Sequence, residues 1–543
     1  TKGNLPEDAY YHVFEMNVDG SGVRQLTRGR YDDFDARYLP NGEIVFLSTR
    51  KGVFLQSSKT NTEATAAADL PDSYVRCGGD NWRPVPVFTL HAMDAEGKNL
   101  RPLSSFENFE WTPSVAADGR ILYCRWDYID RFNGHFFSLW SSNQDGSNAQ
   151  LVYGNYTKAP QATMEPREVP GSNKILFTGA AHHSITGGSL VLLDRTQGTE
   201  GDAPITRLTP EVPFPETEKN IGHYYANPFP LSEDLYLVSW SDCPLPPHSR
   251  VMTDDRNPSN AQGIYLLDRF GNLELLYRDP AISSMTPLPI RPRIRPPVQP
   301  AKSHYAAAGV GRFLVQDVYS GLVGIDRGSI KRIRIVGVPP KVQPQMNTPS
   351  LGVSREETGK YVMGSVAVEE DGSACFEIPS GVSVFFQALD GEGRSMQTMR
   401  SLTYVQPGET LSCVGCHESR EQTPTAPITP LALLREPAKL TLGCEGSWPL
   451  RFDQMVQPVL DRRCTGCHSP GGEAPGYDLT GPKARASLLA YADNDLQNLV
   501  FEKDASIPGE SPSLRSKLLE YLAGDDRHRK IVLDADERDR FYT

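Results

Sequence analysis

Two pentapeptides in this chain bring a pair of thiols next to an imidazole: Cys413-Val414-Gly415-Cys416-His417 and Cys464-Thr465-Gly466-Cys467-His468. Cysteines at this spacing can add to the two vinyl groups of a porphyrin. The adjoining histidine then lies beneath the iron, which is the attachment pattern of c-type haem. A four-cysteine zinc site is the competing reading. It leaves the histidine after each pair unexplained, and the 47 residues between Cys416 and Cys464 exceed the ~15–20 usual for that pattern. The expectation is two covalently bound haem c groups. Cys413, Cys416, Cys464 and Cys467 would form the thioethers, and His417 and His468 would ligate iron.

The two motifs sit in different surroundings. Phe452, Met455, Val456, Val459 and Leu460 recur at helical spacing before Cys464, so an amphipathic helix, kinked by Pro458, should lead into the second motif. Ser511-Pro512 reads as an N-cap with proline at the first helical position. Leu514, Leu518 and Leu522 then share a face, and Gly524 ends the helix. Another helix should begin near Asp536. Helices on either side of a C-x-x-C-H are what a small cytochrome c domain requires. Its sixth iron ligand is His528 or Met455, with His528 preferred. A solvated histidine in the charged run Asp525–Lys530 is the plain alternative.

The first motif follows β-like sequence and precedes Glu421-Gln422-Thr423-Pro424-Thr425-Ala426-Pro427, which does not suit a helix. Residues 413–445 hold too little apolar periodicity to enclose a porphyrin, so neighbouring domains must cover it. Its iron is either five-coordinate and open to a small molecule, or ligated by a distant histidine. His91, His182, His183, His223, His248 and His304 are the candidates. Glu418 and Arg420 adjoin the iron ligand, as proton carriers or as contacts to a haem propionate.

Upstream, a degenerate repeat fills the first ~300 residues. Val13–Asp19-Gly20, Phe88–Glu96-Gly97, Phe137–Asp145-Gly146, Ser189–Asp194 and Ile264–Gly271 open successive copies. Each reads as short strands around an Asp-Gly-type turn, where glycine accepts positive φ and the carboxylate bonds nearby amides. This predicts a β-propeller of TolB/WD40-like repeats, with turn chemistry preferred over calcium binding for the aspartates. Arg291–Pro300 breaks regular structure and marks a domain border. The fold class is therefore mainly β with an α C-terminal domain. The expected domains are a propeller over 1–300, a β-sandwich-like middle domain with the first haem over 301–445, and a helical cytochrome c-like domain with the second over 446–543.

A chain of 543 residues with net charge −12 and no Lys/Arg block offers no footprint for nucleic acid or an anionic membrane. No apolar run is long enough to span a bilayer. Thioether haem is fitted outside the bacterial cytoplasm, so the protein is expected to be exported, periplasmic or extracellular, with its signal removed. Cys77, Cys124, Cys243, Cys375 and Cys444 remain. They are an odd number and do not form a disulfide framework.

Several stretches resemble hydrazine synthase alpha subunits and their relatives: Met396–Ser401, Val405–Glu418, Val315–Leu322 and Tyr224–Glu233. The resemblance implies a propeller, a middle haem domain and a C-terminal cytochrome domain across nearly the whole chain. It implies an active haem at Cys413, Cys416 and His417, a relay haem at Cys464, Cys467 and His468, and partner subunits. It also implies a zinc near the active haem. Cys77 and His91 are the candidate ligands, although their spacing is not a zinc motif and a core pair accounts for them as well.

Shared architecture does not carry the reaction with it. Three functions are open. The chain is an exported dihaem electron carrier, the reading preferred because it needs only what the motifs supply. It is a haem-dependent oxidoreductase acting on a small molecule. Or its propeller binds a ligand or further copies of itself, with the haems secondary.

Overall fold

The computed structural model describes residues 10–54, 86–131, 135–182, 185–218, 221–245, 258–305, 309–343, 349–352, 357–417, 429–501 and 505–543. Cys77, His183, His248, Glu418, Arg420 and the run 421–427 lie outside them. The chain divides into two compact units. The first holds Thr1–Asp127, Asn133–Ser303 and Lys341–Leu351; the second holds Tyr128–Phe132, His304–Pro340 and Gly352–Thr543.

The first unit begins with a two-stranded pair, β1 (Phe14–Glu15) and β2 (Arg24–Gln25). Four antiparallel meanders of four strands follow. They are β3 to β6 (Asp33–Tyr38, Ile44–Ser48, Thr89–Met93, Arg101–Pro102) and β7 to β10 (Glu110–Val115, Ile121–Trp126, Phe137–Ser142, Gln150–Tyr153). Next come β11 to β14 (Ala162–Glu168, Lys174–Ala180, Gly188–Asp194, Ile205–Arg207) and β15 to β18 (Tyr224–Pro230, Leu235–Ser241, Gln262–Asp268, Leu273–Tyr277). These are blades, and the repeat seen in the sequence is the repeat of the fold. The expected propeller is not closed, however: the last strand, β18, exposes Leu275, Leu276 and Tyr277 and, among the described residues, pairs only with β17.

The turn aspartates serve the backbone. Asp94 Oδ1 accepts from the amides of Glu96 and Lys98, and Asp268 Oδ1 from those of Phe270 and Asn272. The proline-rich border segment straps the first unit. Arg295 donates to the Pro40 carbonyl, Gln144 to that of Pro297, and Gln299 to that of Asp118. Gly119 (φ 85°) permits this approach, since a Cβ there would stand 2.4 Å from the Pro297 oxygen.

In the second unit, two sheets share one core. β22-β19-β25 (Ala374–Pro379, Val310–Val315, Thr410–Cys413) face β21-β20-β23-β24 (Tyr361–Ala367, Arg332–Val338, Ser383–Leu389, Ser395–Thr398). Phe313, Phe376 and Leu411 from the first sheet pack with Ile333, Ile335, Val384 and Phe386 from the second. Strand β25 pairs in parallel with β19, bringing Cys413 opposite Val315.

Helices follow: α1 (Phe452–Met455), α2 (Gln457–Arg463), α3 (Lys483–Phe501), α4 (Pro512–Arg515), α5 (Lys517–Gly524) and α6 (Ala535–Tyr542). The stripe expected before Cys464 is split at Val456, and Pro458 stands in the first turn of α2, where its missing N–H costs nothing. The single helix expected from Ser511 is two. Ser511 donates its hydroxyl to the Ser395 carbonyl and makes no cap, while Ser516 caps α5 by accepting from the Leu519 amide. Asp534 and Glu537 form a capping box on α6. Arg334, 4% exposed, pairs with Asp539 at 3.0 Å and ties α6 to β20.

Candidate haem-attachment sites

The second motif begins where α2 ends. Cys464 caps that helix, its amide donating to the Leu460 carbonyl at 2.8 Å. The amides of Cys467 and His468 both donate back to the Cys464 carbonyl, at 3.1 and 2.9 Å. This tight turn holds Cys464, Cys467 and His468 in one short loop. Cys464 rests on a small core of Leu460, Leu479 and Ala484, and burial pushes its thiol up to about 11, with Cys467 adding to the shift.

His468 does not stand alone. Its Nδ1 lies 3.2 Å from the Tyr477 carbonyl, which makes Nδ1 the protonated nitrogen and leaves Nε2 as the metal-binding atom. The ring of His528 lies 5.9 Å away, centroid to centroid, with the planes 25° apart. His528 Nδ1 is likewise engaged, 2.8 Å from Asp525 Oδ2. The backbone and side-chain donors of His528 hold the Asp525 carboxyl below its ordinary value. Rings about 4.5–7 Å apart between centroids are ordinary neighbours, and with both Nδ1 atoms engaged each imidazole has Nε2 left as a nitrogen that could ligate a metal. Met455, the other candidate, is buried on α1 at 3% exposure.

The first motif ends a strand. Cys413 closes β25, and its carbonyl accepts from the Gln316 amide; the Val414 carbonyl accepts from Asp317, and the Ser320 carbonyl from His417. Gly415 lies so close to this loop that a Cβ would stand 2.4 Å from the Ser320 oxygen. Cys416 packs against the sandwich core. A thiol at a strand end, a second thiol on the core and an adjacent histidine suit the thioether pattern. Here the support is a sheet rather than a helical wrap.

Among the described residues, no three His, Cys, Asp or Glu side chains converge as a metal site. His91 lies inside β5 with Nδ1 bound to the Thr89 carbonyl, and burial depresses it to about 4. His182 lies between Trp126 and Phe137, at 5.2 and 4.9 Å. His223 rests on Trp240, and His304 fits against Gly408. Asp525 and the Tyr477 carbonyl are positioning groups that sequence reading missed. A carboxylate three residues before a histidine was the available signal for the first; nothing local marks the second.

Residues 328–418 match the hydrazine synthase alpha subunit middle domain, a span that ends just past the first C-x-x-C-H. The chain is 21% identical over 492 residues to hydrazine synthase subunit alpha from Kuenenia stuttgartiensis, covering 75% of this chain and 56% of that protein. The chain thus spans little more than half of that relative. The solved Kuenenia stuttgartiensis hydrazine synthase superposes with a TM-score of 0.70 at 17% identity, over 98% of this chain and 84% of that one, which shows a shared fold. TolB from Acinetobacter baumannii aligns with 50% of this chain and 61% of its own at a TM-score of 0.25 and 12% identity, too low to bear on the fold.

Proposed function

We propose that this chain, an alpha-subunit-like relative of hydrazine synthase, is an exported dihaem c-type cytochrome that passes electrons through a bis-histidine haem in its helical domain. The observation that carries the reading is the pair His468 and His528, 5.9 Å apart with both Nδ1 atoms engaged. Haem c, when bound, supplies a one-electron iron couple. The chain's own residues do the rest. Cys464 and Cys467 tether the macrocycle, and Cys413 and Cys416 tether a second one. The Tyr477 carbonyl and Asp525 fix the two imidazoles, so neither ring needs to turn when charge changes. Two oriented imidazoles would favour a low-potential electron carrier. Export follows from thioether attachment, and redox partners or further subunits would receive the electrons.

A second reading is small-molecule redox chemistry at the middle-domain haem held by Cys413, Cys416 and His417. It is favoured by the family match, which ends at that motif. The first unit as a ligand-binding or self-associating module is the remaining alternative.

Optical and spin-resonance spectra of the exported protein test these readings. The carrier predicts two haems by pyridine haemochrome, with the C-terminal one low-spin and inert to CO. His528→Ala should make that haem high-spin and CO-binding without changing the haem count. A high-spin, CO-binding middle haem in the unaltered protein would shift the assignment to the enzyme. An unchanged spectrum in His528→Ala would remove the bis-histidine assignment.

A further inference from the structure

The innermost strands of the first unit share a kink. Asp35, Thr112, Glu165 and Asn227 have φ of 54°, 51°, 58° and 48°, and Thr286, just after the fourth blade, has 56°. Proline follows at 113, 166, 228 and 287, and the register slips at this point in β3, β7, β11 and β15. The kinks are linked in series. The Glu165 amide donates to Thr112 Oγ1 at 2.9 Å, the Asn227 amide to Glu165 Oε2 at 2.6 Å, and the Thr286 amide to Asn227 Oδ1 at 3.3 Å.

Two residues beyond the kinks stand Arg37, Arg167 and Phe229, at equivalent positions of the repeat. Arg167 Cζ lies 5.3 Å from the centroid of the Phe229 ring, and Arg293 Cζ, on the strap, lies 5.6 Å from the same ring. The nearby carboxylates are already in use. Asp35 pairs with Arg37 at 2.7 Å, and Glu165 accepts from Asn227 and Thr178. Among the described residues, neither Arg167 nor Arg293 makes a hydrogen bond or ion pair. Burial pushes Arg167 down to about 10, Arg37 and Arg293 act in the same direction, and Asp35 and Glu165 oppose it. Arg167 is half-buried and Arg293 exposed, so two guanidinium groups are held on one ring with N–H donors left for a further acceptor.

We propose that Arg167 and Arg293, flanking Phe229 at the ring of inner-strand kinks, bind a small oxyanion, a carboxylate or a phosphate-type group. A guanidinium presents paired N–H donors that match two oxygens of such an anion, and the Phe229 ring holds both forks in place.

Calorimetric titration of the full chain with inorganic phosphate, and separately with acetate, at constant ionic strength tests the proposal. One saturable equivalent is expected. Arg293→Gln and Arg167→Gln should each weaken it at least about tenfold, while Arg291→Gln, an exposed neighbour, should leave it unchanged. Tighter phosphate binding assigns a phosphate-type ligand, and tighter acetate binding a carboxylate. Absence of saturable binding by both probes overturns the proposal, as does wild-type affinity in Arg293→Gln. An equal loss in Arg291→Gln also overturns it, by reducing the effect to general charge screening. Arg293 is exposed, so its variant decides the matter if Arg167→Gln fails to fold.

Discussion

Glu165 is held in the first unit by donors that favour its charged form and by burial that opposes it. Burial prevails and pushes the carboxyl up to about 7 from an ordinary 4.5. Between those values the folded chain keeps a proton that the unfolded chain releases. The resulting stabilisation is complete below pH 4.5 and is lost as the pH rises through about 7. Glu165→Gln should therefore flatten the fall in apparent melting temperature across that window; parallel curves for the two proteins would refute the assignment. Glu107 shifts in the same direction, again through burial, so some slope should survive the single substitution. His468 and His528 show a different use of neighbours, since Tyr477 and Asp525 act on ring orientation. Those two contacts fix which ring nitrogen of each histidine is engaged.

At the level of elements, the two motifs are positioned by different means. The second is the end of a helix, where the carbonyls of the last turn accept the amides of the motif itself. The first is the end of β25, registered against β19 and pinned to the loop at Ser320. Gly415→Ala tests that difference. Its added methyl meets a backbone oxygen, which cannot yield as a flexible side chain would, so a cost of about 1–3 kcal/mol is expected. Peptide mass spectrometry should then show reduced haem addition at Cys413 and Cys416 and full addition at Cys464 and Cys467. Equal loading at both motifs would show that the Ser320 contact does not govern attachment.

Across the whole molecule, chain continuity matters as much as local pattern. Asp145 accepts from the amides of Lys302 and Ser303 and the Ser303 hydroxyl, as well as from the amide and hydroxyl of Ser147. It fastens the end of the strap to a blade turn 157 residues earlier. Burial opposes its charge, yet these donors hold its carboxyl below the ordinary value. Asp145→Ala leaves several amides without an acceptor, at about 1–3 kcal/mol for each that stays buried. The urea midpoint followed by tryptophan fluorescence should fall accordingly, and an unchanged midpoint would show that the strap is held elsewhere. The sequence by itself determined the two Cys/Cys/His triads, the strand repeat and the change to helix before Cys464. All of these are local, because covalent spacing, turn chemistry and hydrophobic period are properties of short segments. Only the tertiary structure brought His528 to His468, Tyr477 behind that ring, Ser320 onto Gly415, and Arg167 beside Arg293 on Phe229. It also left the blades unclosed and turned Ser511 from a helix cap into a tie to Ser395. Each of these depends on packing between residues distant along the chain, and no local pattern encodes which distant group will arrive.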